Sequence, residues 1–450
     1  MQNQIFYHIY PLGLVGAPKE NDFKSTPTEN LKKVAPWLEH MVSLGCTALY
    51  LGPVFEATSH GYDTANYLQV DRRLGTNTQL KQLVTKAHDL GVKVLFDAVF
   101  NHVGRNFLAF KDLQENGKAS KYKDWFSNVD FSQEGVHGDG FSYDGWHGYY
   151  QLPELNLKNI EVQAYLFSVV TTWINAYHID GLRLDAADVI DLDFLRELST
   201  FCKTKKSDFW LLGEVVFGDY REWAKEGMLD CVTNYEYHTP LYDSFNQQDF
   251  NHIASILQRQ FGAKGSYKNI VMYSFVDNHD VDRAASALAE PGHLFPLYLL
   301  LFTLPGIPAI YNGSEWGFEG KIANGKHDAL RPEITLQNFD EQAKHPLLLD
   351  AIKQFTAMRK AKVCLQKGEY QELLVNKEQL VFVRVTNGDF VICIINASRH
   401  AARLKIPMQG YTAIHYTDIL NKEYTCQVKE GFLYLEVPSW WGRVLAPLAY

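Results

Sequence analysis

Four short segments of the sequence place a carboxylate side chain at or shortly after the end of an apolar run. Asp97 begins DAVFNH, Asp185 lies in GLRLDAAD, Glu214 lies in GEVV and Asp280 ends FVDNHD. A positioned carboxylate acts as a nucleophile, as a general acid or base, or as a stabiliser of positive charge. A single such residue is more often a helix cap or an ion-pair partner, but four after four separate apolar runs indicate one shared site.

Two of these carboxyl groups have contrasting neighbours. Arg183 and Asp185 are two residues apart in a strand-like run, so their side chains point the same way, and the guanidinium would keep Asp185 ionised. Glu214 has apolar residues on both sides, which favours its protonated form. Retaining cleavage of a glycosidic bond requires an ionised and a protonated carboxyl group in one pocket. The pattern therefore predicts that chemistry.

The residues around these segments alternate between β-like runs and amphipathic helical stretches such as Asn30–Ser43 and Ile160–Tyr177. Eight alternating strand and helix units predict an α/β fold, a (β/α)8 TIM barrel, whose active site lies at the C-terminal ends of the strands. The predicted strands are Ile5–Tyr10, Thr47–Leu51, Val92–Phe96, Gly181–Leu184, Trp210–Gly213, Cys231–Asn234, Ile270–Phe275 and Gly306–Tyr311.

Two parts of the chain do not fit the barrel pattern. About sixty residues rich in Gly, Asp, Tyr and Trp follow the third strand, and a loop of that length is typical of an inserted subdomain. After Ala361, two strand-like runs joined by Asn387-Gly388 predict a β-hairpin. The predicted organisation is a barrel over 1–101 and 157–363, an inserted B domain over 102–156 and a C-terminal antiparallel β-sandwich over 364–450.

The composition of the chain limits its partners. The 450 residues include 43 Lys and Arg against 52 Asp and Glu, a formal net charge of −9. A mildly acidic chain has no general attraction to phosphate backbones or anionic lipid, so neither nucleic acid nor membrane is an expected partner. The 46% hydrophobic and 21% charged residues are typical of a globular protein and exclude a wholly disordered chain, a collagen or a coiled coil.

Three further features favour a cytoplasmic location. The N-terminal stretch MQNQIFYHIYP has neither a basic region nor a long apolar one, so no signal peptide is predicted. The longest apolar stretch, Leu294–Ile310, contains three prolines and is predicted as a buried helix running into a strand rather than a membrane span. None of the six cysteines belongs to a CxxC pair, which favours free thiols in a reducing compartment.

The four carboxylate segments, in this order and spacing, resemble the four sequence regions of the α-amylase family, glycoside hydrolase family 13. HGYDTANYLQVDRRLGT at 60–76, LPELN at 152–156 and GIPAIYNGSEWG at 306–317 resemble further segments of that family. The resemblance covers essentially the whole chain. The segments at 60–76 and 152–156 are most similar to the intracellular neopullulanase, cyclomaltodextrinase and α-glucosidase side of the family.

The resemblance implies a role for each matching residue. Asp185 would be the nucleophile, Glu214 the general acid/base and Asp280 the carboxylate that holds sugar hydroxyls in the transition state. Asp97 would be structural and paired with Arg183. For Asp328 and Arg331 in HDALRP, the alternative of a surface ion pair is about equally good. The residues expected to contact the sugar are His60, Tyr62, His102, Arg183, His279, Asp328 and Arg331.

Several positions depart from the family pattern or leave alternatives open. Where many α-amylases have a calcium-binding His the chain has Val189, and Asn156 replaces a common Asp ligand, so we expect no metal there and no cofactor. In α-glucosidases that resemble this chain, a small residue at the position of Ala186 goes with α-1,4 bonds, so the resemblance implies that linkage. The aromatic residues in or beside the insert either stack on a glucan or pack a small core: Trp125, Trp146, Tyr149 and Tyr150.

The sequence therefore predicts a retaining α-glycoside hydrolase that acts on malto-oligosaccharides or cyclodextrins. A transglycosylase with the same site is the main alternative, because the two differ only in whether water or a sugar intercepts the covalent intermediate. A non-catalytic sugar-binding relative would have lost Asp185, Glu214 or Asp280, and all three are present. The expected partner is an α-glucan substrate.

Overall fold

The computed structural model describes residues 1, 3–338 and 343–448. Eight parallel strands form a closed barrel in the order β1-β10-β9-β8-β7-β6-β5-β2, which confirms the predicted fold. Nearly all of their residues are buried, as expected of parallel strands covered on both faces. The first ten strands are β1 (Phe6–Ile9), β2 (Ala48–Leu51), β3 (Phe55–Ala57), β4 (Thr64–Val70), β5 (Lys93–Ala98), β6 (Gly181–Leu184), β7 (Trp210–Gly213), β8 (Cys231–Thr233), β9 (Met272–Phe275) and β10 (Ile307–Tyr311).

The helices follow from local signals in the sequence. The helix at 31–43 ends before Gly45, which has a φ of 90°. Thr76 and Gln79 form a capping box at the start of the next long helix. The helices are α1 (Pro11–Leu14), α2 (Leu31–Ser43), α3 (Asn77–Asp89), α4 (Leu108–Asn116), α5 (Ile160–Tyr177), α6 (Leu192–Lys205), α7 (His238–Asn246), α8 (Asn251–Phe261), α9 (Ala284–Ala287), α10 (Leu294–Thr303), α11 (Pro346–Ala361) and α12 (Val363–Lys367).

An antiparallel hairpin of β3 and β4, which the sequence analysis did not predict, follows β2. Its turn contains His60 and Tyr62, so it brings both residues to the C-terminal end of the barrel. The pairing of the two strands shifts register on either side of Glu56. These irregularities break the alternation of apolar and polar residues by which a strand is recognised in a sequence.

Residues 102–156 contain α4, three short 3-10 turns and isolated β-bridges rather than a sheet. The start and end of the segment are joined by bridges from His102 to Glu154 and from Phe126 to Leu155. Inside the segment, the ring of Phe110 contacts three other aromatic rings, those of Phe126, Phe141 and Tyr143. A small aromatic core therefore stabilises the segment, which leads away from the end of β5.

The C-terminal part is an eight-stranded antiparallel sheet in the order β11-β12-β13-β18-β15-β16-β17-β14. The predicted hairpin at Asn387-Gly388 joins β12 to β13, and Gly388 has a φ of 87°. Leu404 and Leu435, near one end of the sheet, share a core with Val381 and Ile392 near the other, as in a sandwich. The strands are β11 (Glu369–Val375), β12 (Gln379–Thr386), β13 (Asp389–Asn396), β14 (Ala402–Pro407), β15 (His415–Asp418), β16 (Thr425–Lys429), β17 (Phe432–Val437) and β18 (Trp441–Pro447).

Two fully buried arginines join this sheet and the preceding helix to the barrel. Arg384 in β12 donates to the carbonyl oxygens of Thr303, at 2.6 Å, and Gly368, at 2.8 Å. Arg359 in α11 donates to the carbonyl oxygens of Phe302 and Leu304 at 2.9 and 3.1 Å, and also to that of Gly306. The two guanidinium groups therefore satisfy backbone carbonyls that the end of α10 leaves without helical partners.

All six cysteines are free thiols, as predicted, and five of them are buried. Within the described ranges no helix has the length and apolar character needed to cross a membrane.

Candidate active site

Arg183 in β6 is the centre of the carboxylate cluster, and its side chain is almost completely buried. Its Nη1 donates to Asp97 Oδ1 and to Asp185 Oδ1, both at 2.8 Å. Its Nη2 lies 2.7 Å from Glu214 Oε1. The barrel register explains the grouping, because Asp97 in β5 and Leu212 in β7 both lie beside Arg183. The expected pairing of Arg183 with Asp97 is confirmed, and the guanidinium also binds both carboxyl groups of the predicted catalytic pair.

The protonation of that pair differs from the prediction for Asp185. Burial raises the pKa of Asp185 well above its usual range, and the charge of Glu214 adds to this effect, while Arg183 opposes both. Burial also raises the pKa of Glu214, again against the effect of Arg183. The expectation that Arg183 keeps Asp185 ionised is therefore wrong, because burial and the charge of Glu214 outweigh the guanidinium. Two buried carboxyl groups around one guanidinium retain a shared proton more readily than exposed ones.

Glu214 is also held by polar groups outside the ion pair. The backbone N–H of Ala186 donates to Glu214 Oε2 at 2.9 Å, and the hydroxyl of Tyr235 lies 3.4 Å from Oε1. Asn278 donates to the same hydroxyl at 2.9 Å. Tyr235 was not found from the sequence, because no motif includes it and only the fold brings the end of β8 to the end of β7.

Asp280, which follows β9, is bound at both carboxylate oxygens. Oδ2 lies 2.9 Å from His279 Nε2, and Oδ1 lies 2.5 Å from Arg331 Nη2 and 3.1 Å from His327 Nδ1. Burial acts to raise the pKa of Asp280, but these three neighbours outweigh it and hold the pKa well below its usual range. Asp280 therefore stays ionised, and about a third of its side chain faces solvent.

Tyr62 connects the Asp280 side of the cluster to the Arg183 side. Its hydroxyl donates to Asp97 Oδ2 at 3.0 Å and lies 2.5 Å from His279 Nε2. Its ring stacks on that of His279 with centroids 5.4 Å apart and an interplanar angle of 14°. His60 Nδ1 accepts a hydrogen bond from the backbone N–H of Tyr62, and 42% of the His60 side chain is exposed.

His102 lies beside Asp185, with 3.8 Å between His102 Nε2 and Asp185 Oδ2. Burial lowers the pKa of His102 to about 3, so its ring is neutral near pH 7. Nε2 has no hydrogen-bond partner among the described residues. An unpartnered polar atom at this position is suited to a hydroxyl group of a bound ligand.

One predicted residue lies apart from the cluster. Asp328 pairs with Lys19 at 2.6 Å, and both side chains are largely exposed. The short 3-10 turn Asp328–Leu330 directs Asp328 outward while Arg331 reaches Asp280. The preceding residue, His327, takes the place in the cluster that the sequence analysis gave to Asp328. The only signal for it was its position at the start of the HDALRP segment.

This geometry agrees with comparisons to known proteins. A profile described as the alpha amylase catalytic domain matches residues 21–380. The chain belongs to the alpha-amylase family. The resemblance seen in the sequence is thus confirmed, and the protein is a glycosidase of that family.

Relatives of the chain within the family include proteins of several named activities. A cyclomaltodextrinase from Geobacillus thermopakistaniensis is 31% identical over 471 residues, which cover 98% of this chain and 78% of that protein. An intracellular maltogenic amylase from Bacillus subtilis is 29% identical over 84% of this chain and 63% of that protein. The solved structure of a cyclic alpha-maltosyl-(1→6)-maltose hydrolase from Arthrobacter globiformis has a TM-score of 0.82 and 26% identity, covering 100% of this chain and 99% of that one.

Where many members of the family bind calcium, the side chains of this chain offer few free donor atoms. Val189 offers no donor atom, and the Asn156 amide already donates to the carbonyl oxygen of Asp124 at 3.1 Å. Asn156 Oδ1 accepts from the backbone N–H of Lys158. No group of three or more His, Cys, Asp or Glu side chains suited to a metal occurs in the part of the chain that the structure describes.

Aromatic rings extend from His102 to the surface. The Trp146 ring lies 5.5 Å from that of His102 and stacks on Tyr149 with centroids 5.9 Å apart. The Tyr149 side of this pair is open, with 64% of the residue exposed. Trp125 is different, because it is buried and its Nε1 donates to Glu161. Of the four aromatic residues singled out in the sequence, Trp125 is part of the packing and Trp146 and Tyr149 line the approach to His102.

Proposed function

We propose that the protein is a retaining α-glycoside hydrolase that acts on malto-oligosaccharides or cyclodextrins, with α-1,4 bonds favoured. The observation that carries the proposal is the binding of Asp185 and Glu214 by the two ends of one guanidinium group. This supports a carboxyl separation of roughly 5–5.5 Å, typical of retaining enzymes, rather than the wider gap of an inverting enzyme, which must hold a water molecule.

In the first step, the proton that the pair shares lies on Glu214, and an oxygen of ionised Asp185 attacks the anomeric carbon while the bond to the leaving oxygen breaks. Protonated Glu214 gives its proton to that oxygen, and a covalent glucosyl-enzyme forms. In the second step, ionised Glu214 takes a proton from water, whose oxygen attacks the same carbon and releases Asp185. The Ala186 N–H bonded to Glu214 holds that carboxyl group in place for both proton transfers.

Asp280 is assigned to the hydroxyl groups of the sugar that is cleaved, together with His279, Tyr62 and His102. Its permanent charge is suited to the positive charge that develops on the ring in the transition state. The names of the relatives support the substrate class, since one is a cyclomaltodextrinase and another a maltosyl-maltose hydrolase. The intracellular maltogenic amylase supports the proposed cytoplasmic location.

The anomer released first tests the mechanism. Proton NMR of a fresh digest of maltotriose should show the α-anomer before mutarotation, whereas a β-anomer appearing first would contradict Asp185 as nucleophile. Digests of maltotriose, isomaltotriose, cyclodextrin, pullulan and sucrose define the substrate. Products longer than the substrate would instead identify a transglycosylase. Exposed Phe217, three residues after Glu214, provides an apolar surface that an acceptor sugar would contact.

Activity on different substrates distinguishes the roles of the two catalytic carboxyl groups. Asp185→Asn should abolish turnover of every substrate while the protein stays folded. Glu214→Gln should retain most glycosylation activity on aryl glucosides, because a good leaving group needs little protonation. Equal losses on aryl and natural substrates in single-turnover experiments would show that Glu214 is not the acid.

Ala186 provides the test of linkage. Its φ of 46° lies in the left-handed region, which a β-branched side chain adopts only with strain. Ala186→Val should therefore lower stability, but strain cancels in the ratio of kcat/KM for maltose and isomaltose. We expect the wild type to prefer maltose and the variant to shift the ratio toward isomaltose by about 1–3 kcal/mol at most. A wild-type preference for isomaltose would contradict the α-1,4 assignment.

A further inference from the structure

The carboxylate of Asp280 is held from two separate parts of the chain. His279, its neighbour in sequence, contacts Oδ2, whereas His327 and Arg331 both contact Oδ1. The latter two come from the loop after β10, about fifty residues further along the chain. Asp280 is only partly enclosed, so these contacts determine which way its carboxylate points.

The loop that carries His327 is itself fixed to the residues after Asp280. The backbone N–H of Arg283 donates to the carbonyl oxygen of Gly320 at 2.9 Å, and its fully buried guanidinium donates to that of Leu330 at 2.7 Å. The N–H of Ile322 donates to Asp282 Oδ1 at 2.7 Å. Both ends of the loop are thus bound to residues that follow Asp280 in the sequence, and these contacts hold His327 in place.

The contact with Asp280 requires a hydrogen on one particular nitrogen of the His327 ring. An ionised carboxylate only accepts hydrogen bonds, so Nδ1, at 3.1 Å from Asp280 Oδ1, donates to it in the tautomer that carries a hydrogen on Nδ1. Nδ1 also lies 3.2 Å from Arg331 Nη2, which donates to the same oxygen at 2.5 Å. Two donors from one loop therefore converge on Oδ1. The contacts of the ring with Asp280 and Arg331 are both made through Nδ1.

We propose that His327 is a positioning residue that acts through Asp280, with its Nδ1–H orienting the carboxylate toward the reacting sugar. The proposal rests on the proposed glycosidase function, in which Asp280 touches that sugar. Ion-pair stabilisation of the transition state depends steeply on orientation, and a misplacement of about 1 Å costs on the order of 100-fold in rate. Loss of His327 should therefore lower kcat more than it raises KM.

Substitutions that keep one ring nitrogen and remove the other test the proposal. Asn places an amide N–H close to the position of His Nδ1, whereas Gln places one close to Nε2. With maltotriose as substrate, His327→Ala should lower kcat about 10- to 100-fold and change KM little. His327→Asn should recover most of kcat and His327→Gln should not. Lys326→Gln, at the neighbouring exposed position of the same turn, is the matched control and should behave as the wild type.

Three results would overturn the proposal. Recovery of kcat by Gln but not by Asn would mean that Nε2 contacts the sugar directly. A change confined to KM would mean that His327 only binds substrate. Unchanged kcat and KM in His327→Ala would mean that His327 has no role. Melting temperatures of all four variants confirm that the fold is kept. The activity of the wild type shows which of the two proposals fails. An inactive wild type contradicts the proposed function, whereas an active wild type with unaffected variants contradicts only the role of His327.

Discussion

Two opposite sides of the candidate active site are built from different kinds of contact. In the closed order of strands, β5 and β9 are four strands apart and therefore face each other across the barrel. The β9 side is built around one charge, with Asp280 bound to His279, His327 and Arg331. On the β5 side, the segment that follows Asp97 contributes rings, with neutral His102 beside Trp146 and Tyr149.

The two sides are therefore suited to different roles in catalysis. Short, directional contacts at 2.5–3.1 Å fix a charge in one orientation, and a fixed charge stabilises a transition state more than a ground state. Stacked rings offer area with little directionality, so they bind substrate and transition state about equally. Variants on the β9 side should therefore change kcat, and variants on the β5 side should change KM.

The largest effect is expected for Asp280→Asn. Loss of the negative charge removes the stabilisation of the cationic ring, so kcat should fall by about 1000-fold or more with a much smaller change in KM. Steady-state kinetics on maltotriose measure both. Asp193→Asn, at an exposed position of α6, is the control. A variant altered mainly in KM would contradict the division between the two sides.

The second prediction concerns the stability of the β5 side in acid. His102 has a pKa of about 3 in the folded protein against 6.5 unfolded, so between these values the unfolded chain binds a proton that the folded chain does not. This contribution therefore makes stability fall as pH falls from 6.5 toward 3, by up to about 1.4 kcal/mol per pH unit. His102→Gln should flatten the dependence in urea titrations over that window.

The matched control for the acid experiment is His252→Gln at an exposed position of α8. It should keep the wild-type dependence of unfolding free energy on pH. If His102→Gln and the wild type lose stability in parallel, the ring of His102 is not buried in its neutral form.

A smaller effect is expected from the exposed ring of the β5 side. Tyr149→Ala should raise KM for longer malto-oligosaccharides by about 3- to 10-fold, the value of one ring contact, and leave kcat unchanged. The effect should shrink for maltose, which is too short to extend along the rings. Tyr434→Ala, at an exposed position of the C-terminal sheet, is the control. A fall in kcat for every chain length would place Tyr149 in the chemical step.

We expect no effect from the removal of metal ions. Because Val189 and Asn156 do not suit a calcium ion, EDTA treatment should leave kcat and melting temperature as they are. Activity lost on EDTA treatment and restored by Ca²⁺ would show that a metal bound elsewhere supports the site.

The barrel was predictable because its strands are short apolar runs, most of them separated from the next by a helix. The cluster around Arg183 was predictable in part. Its pairing with Asp185 follows from two-residue spacing, but its contact with Glu214 depends on the register between β6 and β7, which is not local. The roles of the individual site residues stay predictions.

The region after β10 was the least predictable part of the site. The family resemblance of HDALRP grouped Asp328 with Arg331, yet a single 3-10 turn decides which side chains of that segment face Asp280, and His327 is one of them. The β3–β4 hairpin was missed for a related reason, since its irregular pairing hides the alternation of strand residues. In both places short irregular backbone, rather than composition, determines what reaches the site.

The buried arginines at the end of α10 have a consequence for how the protein is made. Until Arg359 and Arg384 have been synthesised, the carbonyl groups of residues 302–304 and 306, directly before β10, have no partners of this kind. A nascent chain that ends near residue 363 contains Arg359 but not Arg384, so we expect it to leave the carbonyl oxygen of Thr303 unpaired and the barrel to reach its full stability only after β12 has emerged from the ribosome. The catalytic unit would then be inseparable in biosynthesis from a sheet that contributes no residue to its chemistry.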